Sequence, residues 1–205
     1  EIPSIVDAIY GNRFSCGGQM CDALKRLIVH ESKVEEVTTK LAEILSGQTI
    51  GDASDPSTSV GPLVASRQVD VLEAQVQDAV SKGAKVVCGG KRPKDQSGHF
   101  YEPTILRNVT SDMRVMQEEV FGPVLPIISF KSEDEAIRIA NDTKYGLGAY
   151  IFTNDKERFM RVAAAVESGM VSQNNLSYVN TCNPFGGYKS SGNSHEHGEY
   201  GFKEI

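Results

Sequence analysis

The chain has 205 residues, 40% hydrophobic and 23% charged, with a formal net charge of −6; these values suit one substantial core and exclude disordered, collagenous and fibrous classes. Its 21 Lys and Arg are scattered rather than gathered into a basic stripe, which argues against a nucleic-acid partner. Apolar runs such as Val124 to Ile128 fall far short of the about 18 residues that mark a membrane span, so no membrane partner is expected.

Ile2, Ile5, Val6, Ile9 and Tyr10 follow helical spacing and predict a first helix that leads into "GNRFSCGGQMC" and ends at Gly17 and Gly18. "LIVH" (27–30) reads as a short buried strand, followed by a helix from Lys33 to Leu45 with Ser32 as N-cap and Glu35 and Glu36 in its first turn. The Gly-, Pro-, Ser- and Asp-rich stretch 46–65 sustains neither period and predicts an ordered loop. A helix over Arg67 to Lys82 stops at Gly83, "AKVVCGG" is a strand ending in a turn, and "KRPKDQSGHF" (91–100) is a polar loop. "VLPIISF" reads as a buried strand, "KSEDEAIRIANDTKYG" as a capped helix with its exit, "LGAYIFT" as a strand, and "DKERFMRVAAAVESG" as a helix ending at Gly169. Strand and helix alternate with crossover-length connections, which predicts an α/β domain with a largely parallel sheet and helices on both faces.

Cys21 is the residue with the most chemistry in its surroundings. Four cysteines are too few for a disulfide framework, and no secretory signal is visible, so reduced thiols in a cytoplasmic compartment are expected. Cys88 and Cys182 read as small structural residues. Cys21 follows a Gly-Gly turn that lets backbone amides converge, and the residues after it can begin a helical turn whose N–H groups stabilise a thiolate or hold an oxyanion. Two other readings stand beside this one. Cys21 is a small buried residue, or it forms a zinc clip with Cys16; the clip needs two more ligands, and His30, His195 and His197 do not stand at familiar spacing, so no metal is expected.

"GGQMC" (17–21) resembles the Gly-Gln-x-Cys nucleophile motif of the NAD(P)-dependent aldehyde dehydrogenases. It is joined, in the family's order, by "GDASDPSTSVGPL", "GHFYEPTIL", "QEEVFGPVLPI", "NDTKYGLGAYIFT" and "NPFGGYKSSG", so the resemblance covers nearly the whole chain. It implies a three-layer α/β/α catalytic domain over residues 1–205 and oxidation of a small-molecule aldehyde to a carboxylic acid with NAD or NADP. Cys21 would attack the aldehyde carbon, forming first a thiohemiacetal and then a thioester, with its backbone N–H as an oxyanion donor. Glu119 would bind the nicotinamide-ribose hydroxyls and Phe121 would pack near the ring. Met20, Asp22 and Phe185 would shape the substrate pocket, with Gln19 and Glu196 in support. The parent enzyme would be a homo-oligomer.

The chain also departs from the family pattern. Cys16 stands where the family has Asn and offers a second thiol for a reversible disulfide, while Ser194, His195 and Glu196 stand where it has Gly-Arg-Glu. No GxGxxG follows a predicted strand, the family's Glu-Leu-Gly-Gly base motif is missing, and the chain starts at Glu1 without Met and stops at "GFKEI". The expectation is therefore a catalytic domain cut from a longer dehydrogenase, without its nucleotide-binding domain or C-terminal oligomerisation strand and without turnover of its own. The second functional reading is a non-catalytic binding or assembly module that keeps the fold. Asp22 beside the thiol gives a mild bias toward neutral or cationic aldehydes.

Overall fold

The apolar rhythm at the start of the chain becomes helix α1, Ile2–Phe14, in a computed structural model that describes residues 2–94, 96–177 and 179–204. Val6, Ile9, Arg13 and Phe14 are its buried positions, the i, i+3, i+7, i+8 stripe of a helix that packs on one side. Asp95, inside the predicted polar loop, lies outside the described residues. The chain divides into two compact units, Glu1–Lys131 and Ser132–Ile205.

In the first unit, α1 packs on α2, Val34–Ser46. The unit is built around a four-stranded sheet of β1 (Leu27–His30), β2 (Lys85–Cys88), β3 (Thr104–Arg107) and β4 (Val124–Phe130) in the order β1-β4-β3-β2. Both pairings of β4 are parallel and β2 joins antiparallel, which gives the α/β class and the largely parallel sheet that the alternation predicts. Ile105, Leu106, Val124 and Leu125 are fully buried in the central strands; each contributes about 1.5–3 kcal/mol by leaving water. Pro126 sits in β4 although proline has no N–H for a ladder. Residues 124–126 pair with β3 and 127–130 with β1, so the missing donor falls where the strand changes partner.

The predicted loop 46–65 holds only an isolated bridge, Ile50 to Val60, and is ordered by its own side chains. Asp52 accepts from Ser54 N–H and Asp55 from Ser57 N–H, both at 2.8 Å. Helix α3, Ser66–Ser81, follows, with Gly83 at φ +101° just past its end. A one-turn helix α4, Arg114–Gln117, precedes β4.

Three local expectations are corrected in this unit. "LIVH" is a strand at the sheet margin rather than a buried one: only Val29 is buried, and His30 is exposed. Ser32 does not cap α2, because Glu31–Lys33 form a 3-10 turn and the Ser32 hydroxyl pairs with His30 Nδ1 at 2.9 Å. Strand β3 carries no predicted element, since four residues between loops are too few to show a period.

The second unit holds α5 (Glu133–Asn141), capped by Ser132, and α6 (Lys156–Ala165), capped by Asp155, whose side chains accept from Glu135 N–H and Arg158 N–H. Asn141 joins the ends of these helices by donating to Ala165 O at 2.9 Å and accepting from Glu167 N–H at 2.8 Å. Strands β5 (Tyr145–Gly146) and β6 (Gly148–Ile151) follow α5, and β6 pairs in parallel with β7 (Met170–Gln173). Two short antiparallel pairs complete the unit: β5 with β9 (Tyr188–Lys189), and β8 (Phe185–Gly186) with β10 (His195–Glu196). Helix α7, Gly198–Lys203, packs on β10. Helix α6 ends at Ala165, short of the predicted stop at Gly169. That glycine is needed elsewhere, because a Cβ on it would lie 2.9 Å from Gly187 Cα. Among the described residues no helix is long and apolar enough to cross a membrane.

Candidate functional site

Helix α1 delivers the chain into a sharp reversal. Ser15–Gly18 form a 3-10 turn in which Cys16 (φ +50°), Gly17 (φ +62°) and Gly18 (φ +72°) are successive left-handed residues. Glycine adopts this conformation freely, whereas at Cys16 it costs about 1–2 kcal/mol. Gly18 has a second reason to lack a side chain, since a Cβ there would lie 2.7 Å from Gly122 C and 3.0 Å from Arg13 O. Gln19 braces the reversal from both ends of its amide: Nε2 donates to Cys16 O at 3.0 Å, and Oε1 accepts from Val64 N–H at 2.9 Å.

Cys21 is exposed and lies in a turn that Ala23 N–H closes on Met20 O at 3.3 Å. The helical turn expected after it does not form. Leu24 N–H is taken by Asn12 Oδ1 of α1 at 2.7 Å, and Met20 O also accepts from Lys25 Nζ at 2.6 Å, so the local donors and acceptors go to side chains. The chain then enters β1. Met20 and Asp22 are half-buried on either side of Cys21.

Residues 118–122, between α4 and β4, are fixed by side chains from α1 and α3. Arg13, fully buried, donates from Nε to Val124 O at 3.0 Å and from Nη2 to Val120 O at 3.1 Å and to Gly122 O. Burial pulls this guanidinium well below its ordinary pKa and Glu119 pulls it back up. Gln68 donates to Phe121 O at 2.7 Å, and Gln75 donates to Glu119 O at 3.3 Å and to Glu118 Oε2 at 3.1 Å. Glu118 also accepts from Arg114 at 2.8 and 3.1 Å, so it belongs to the scaffold. The Glu119 side chain, 45% exposed, faces Lys25 instead.

Lys25 joins the two segments. Its Nζ lies 3.9 Å from Glu119 Oε1 and 4.8 Å from the centre of the Phe121 ring, with the side chain only 20% exposed. Burial, and secondarily Arg13, lower its pKa to about 8, while Glu119, Cys21 and Asp22 hold it up. Lys25 thus touches both the Cys21 turn, at Met20 O, and the 118–122 loop, at Glu119 and the Phe121 ring. Neither Lys25 nor Arg13 was singled out by the sequence reading. Arg13 left a signal, a charged residue in register with Val6 and Ile9 on an apolar stripe; Lys25 left none, because Glu119 and Phe121 are distant from it in sequence.

In the second unit Phe185 and Glu196 are direct cross-strand partners of β8 and β10. Phe185 is half-buried with its ring 6.0 Å from that of His197, and Glu196 is exposed. His195 donates its N–H to Glu204 Oε2 at 2.7 Å and sets Nδ1 3.0 Å from Oε1. These hydrogen bonds hold the Glu204 carboxyl below its usual pKa.

Cys16, Cys21, Cys88 and Cys182 are all free thiols. Cys88 is half-buried, and burial pushes its thiol pKa up, as suits a structural residue. Cys182, which reads as a small structural residue, is exposed in a loop, where Asn180 Oδ1 accepts from its N–H. Among the described residues, no group of three or more His, Cys, Asp or Glu is placed to hold a metal ion.

A family model described as "Aldehyde dehydrogenase family" matches residues 1–205. The chain is 42% identical over 205 residues to a succinate-semialdehyde dehydrogenase (NADP(+)) of Deinococcus radiodurans, covering 100% of this chain and 43% of that protein. It is also 42% identical to retinal dehydrogenase 2 of Homo sapiens, covering 100% of this chain and 39% of the relative. The crystal structure of succinate-semialdehyde dehydrogenase from Burkholderia pseudomallei superposes with a TM-score of 0.96 at 38% identity, covering 100% of this chain and 42% of that one. The chain therefore spans about two fifths of the length of the relatives it matches.

Proposed function

The chain belongs to the aldehyde dehydrogenase family, and from that premise we propose that residues 1–205 are the thiol-bearing catalytic domain of an enzyme that oxidises a small-molecule aldehyde to a carboxylic acid. The observation that carries the reading is the joining of the exposed Cys21 turn to residues 118–122 through Arg13, Gly18 and Lys25. A nucleophile and an electron acceptor must be held in fixed register for such a reaction, and this scaffold supplies the register.

In this reading the Cys21 sulfur bonds to the carbonyl carbon and the carbonyl oxygen takes up the negative charge of a thiohemiacetal, with the Cys21 backbone N–H as one donor to it. Bound NAD or NADP would supply the acceptor for the electron pair that leaves the carbon. The residues present fit such a group: Glu119 offers a part-exposed, acceptor-only carboxylate for paired hydroxyl donors, and Phe121 offers a half-buried aromatic ring. The resulting thioester is hydrolysed by water, releasing the acid and restoring the thiol. Met20 and Asp22 shape the aldehyde pocket, and Gln19 supports it. The general base and most of the cofactor site lie outside these residues, so the 205-residue chain alone has negligible turnover, and the complete enzyme is a homo-oligomer.

Alkylation tests the role of Cys21. Under limiting iodoacetamide, peptide mass spectrometry is expected to find Cys21 modified well before Cys182, which is also exposed, and before half-buried Cys88. Modification of Cys182 at the same rate as Cys21 would favour the non-catalytic module instead. Robust NAD reduction by the purified chain with an aldehyde would overturn the claim of incompleteness.

A further inference from the structure

We propose that Lys25 is a positioning residue for the nicotinamide side of the site: its ammonium, anchored on the Met20 carbonyl and lying over the Phe121 ring, sets the reach of the Glu119 carboxylate and so the firmness with which ribose hydroxyls are held. The inference rests on the reading of Glu119 as the ribose-binding carboxylate.

The geometry separates charge from hydrogen bonding. Lys25 Nζ spends a donor on Met20 O at 2.6 Å and faces the Phe121 ring at 4.8 Å, while Glu119 Oε1 stands 3.9 Å away, within Coulomb range but beyond a hydrogen bond. A carboxylate held in this way is steadied by the positive charge, yet keeps its lone pairs open for two hydroxyl donors. A direct, short ion pair would have occupied one of them. Because the same ammonium bonds to the residue before Cys21, it also ties the thiol turn to the ring that would pack against the nicotinamide.

The tie depends on charge. The charged or titratable groups acting on Lys25 are Arg13 of α1, Cys21 and Asp22 of the turn, and Glu119 of the loop, and with burial they leave its pKa at about 8. Below that pH the ammonium is present and Glu119 is held; above it the amine is neutral and the hold is lost.

Steady-state kinetics on the complete enzyme polypeptide test this, with KM for NAD and NADP and kcat measured from about pH 6.5 to about pH 9.5 for wild type, K25M, K25R and E119Q. At the acid end K25M is expected to raise the cofactor KM about five- to tenfold while kcat changes less than about twofold. Wild-type KM is expected to climb toward the K25M value as pH passes about 8, and K25R, which keeps its charge, to stay low to higher pH. A K25M KM equal to wild type while E119Q raises it would overturn the Lys25 proposal alone. A K25M effect with no E119Q effect would overturn the ribose reading, and with it the action of Lys25 through Glu119. A wild-type KM that stays flat while K25M loses kcat and K25R fails to rescue it would show Lys25 to be merely structural, and would overturn the proposal.

Discussion

The backbone of Gly18 lies directly against the carbonyl of Gly122, so closely that a methyl group on Gly18 would stand 2.7 Å from the carbonyl carbon. The same carbonyl oxygen accepts from Arg13 Nη2. The reversal that presents Cys21 and the loop that presents Glu119 and Phe121 are therefore packed main chain to main chain, with a single buried guanidinium closing the gap.

Glycine substitutions separate close packing from backbone strain. G17A introduces strain at φ +62° but meets only Leu63 Cδ2 and Gln19 Nε2 at 3.4 Å, so a loss of about 1 kcal/mol is expected. G18A adds a collision with backbone that cannot rotate away, and about 3 kcal/mol or more is expected. Urea denaturation of the two variants compares them; equal losses would mean that the Gly18–Gly122 approach is not close in solution.

Replacing Arg13 by Met keeps the volume and removes the donors to Val120, Gly122 and Val124. Three carbonyls are then left without this partner, and destabilisation of about 3–5 kcal/mol is expected in the same denaturation measurement. R13K retains a charge but not the fork, and is expected to recover only part of the loss.

Lys25 gives a pH dependence whose sign follows from its lowered pKa. Between about 8 in the folded chain and 10.5 in the unfolded one, the unfolded chain holds a proton that the folded chain has released. Stability relative to K25M is therefore expected to rise across that window, by up to about 3 kcal/mol, and to be flat below it. Denaturation midpoints of wild type and K25M at several pH values check this. E119Q removes a charge that supports the ammonium, and should move the start of the rise to lower pH.

Gln68 holds the loop through the Phe121 carbonyl, and Gln75 through the Glu119 carbonyl and the Glu118 carboxylate. Q75A, at a buried position, is expected to cost about 1–2 kcal/mol and Q68A about 1 kcal/mol. Amide hydrogen exchange is expected to accelerate in residues 118–122 of both variants; unchanged exchange there would remove the two glutamines from the scaffold.

What could be read in the sequence was what local period and local chemistry determine. Helix α3 and its Gly83 exit, α5 with its Ser132 cap, and β4 follow from spacing and end signals. The misplaced features were decided by competition from elsewhere. A helical turn after Cys21 loses its donors to Asn12, Ser32 is drawn to His30, and Gly169 serves a close approach to Gly187 rather than a helix stop. Motif resemblance singles out Cys21, Glu119 and Phe121, but nothing local links residue 25 to residues 119–121. That relation exists only once β1 and β4 stand side by side in the sheet.

Arg13 grips oxygens that every amino acid possesses. Its hold on Val120, Gly122 and Val124 is blind to which side chains those positions carry, while it dictates the course of the main chain through them. Glu119 and Phe121 sit on a rail whose path is laid down from outside, so either can be exchanged to retune what the loop receives without relaying the track.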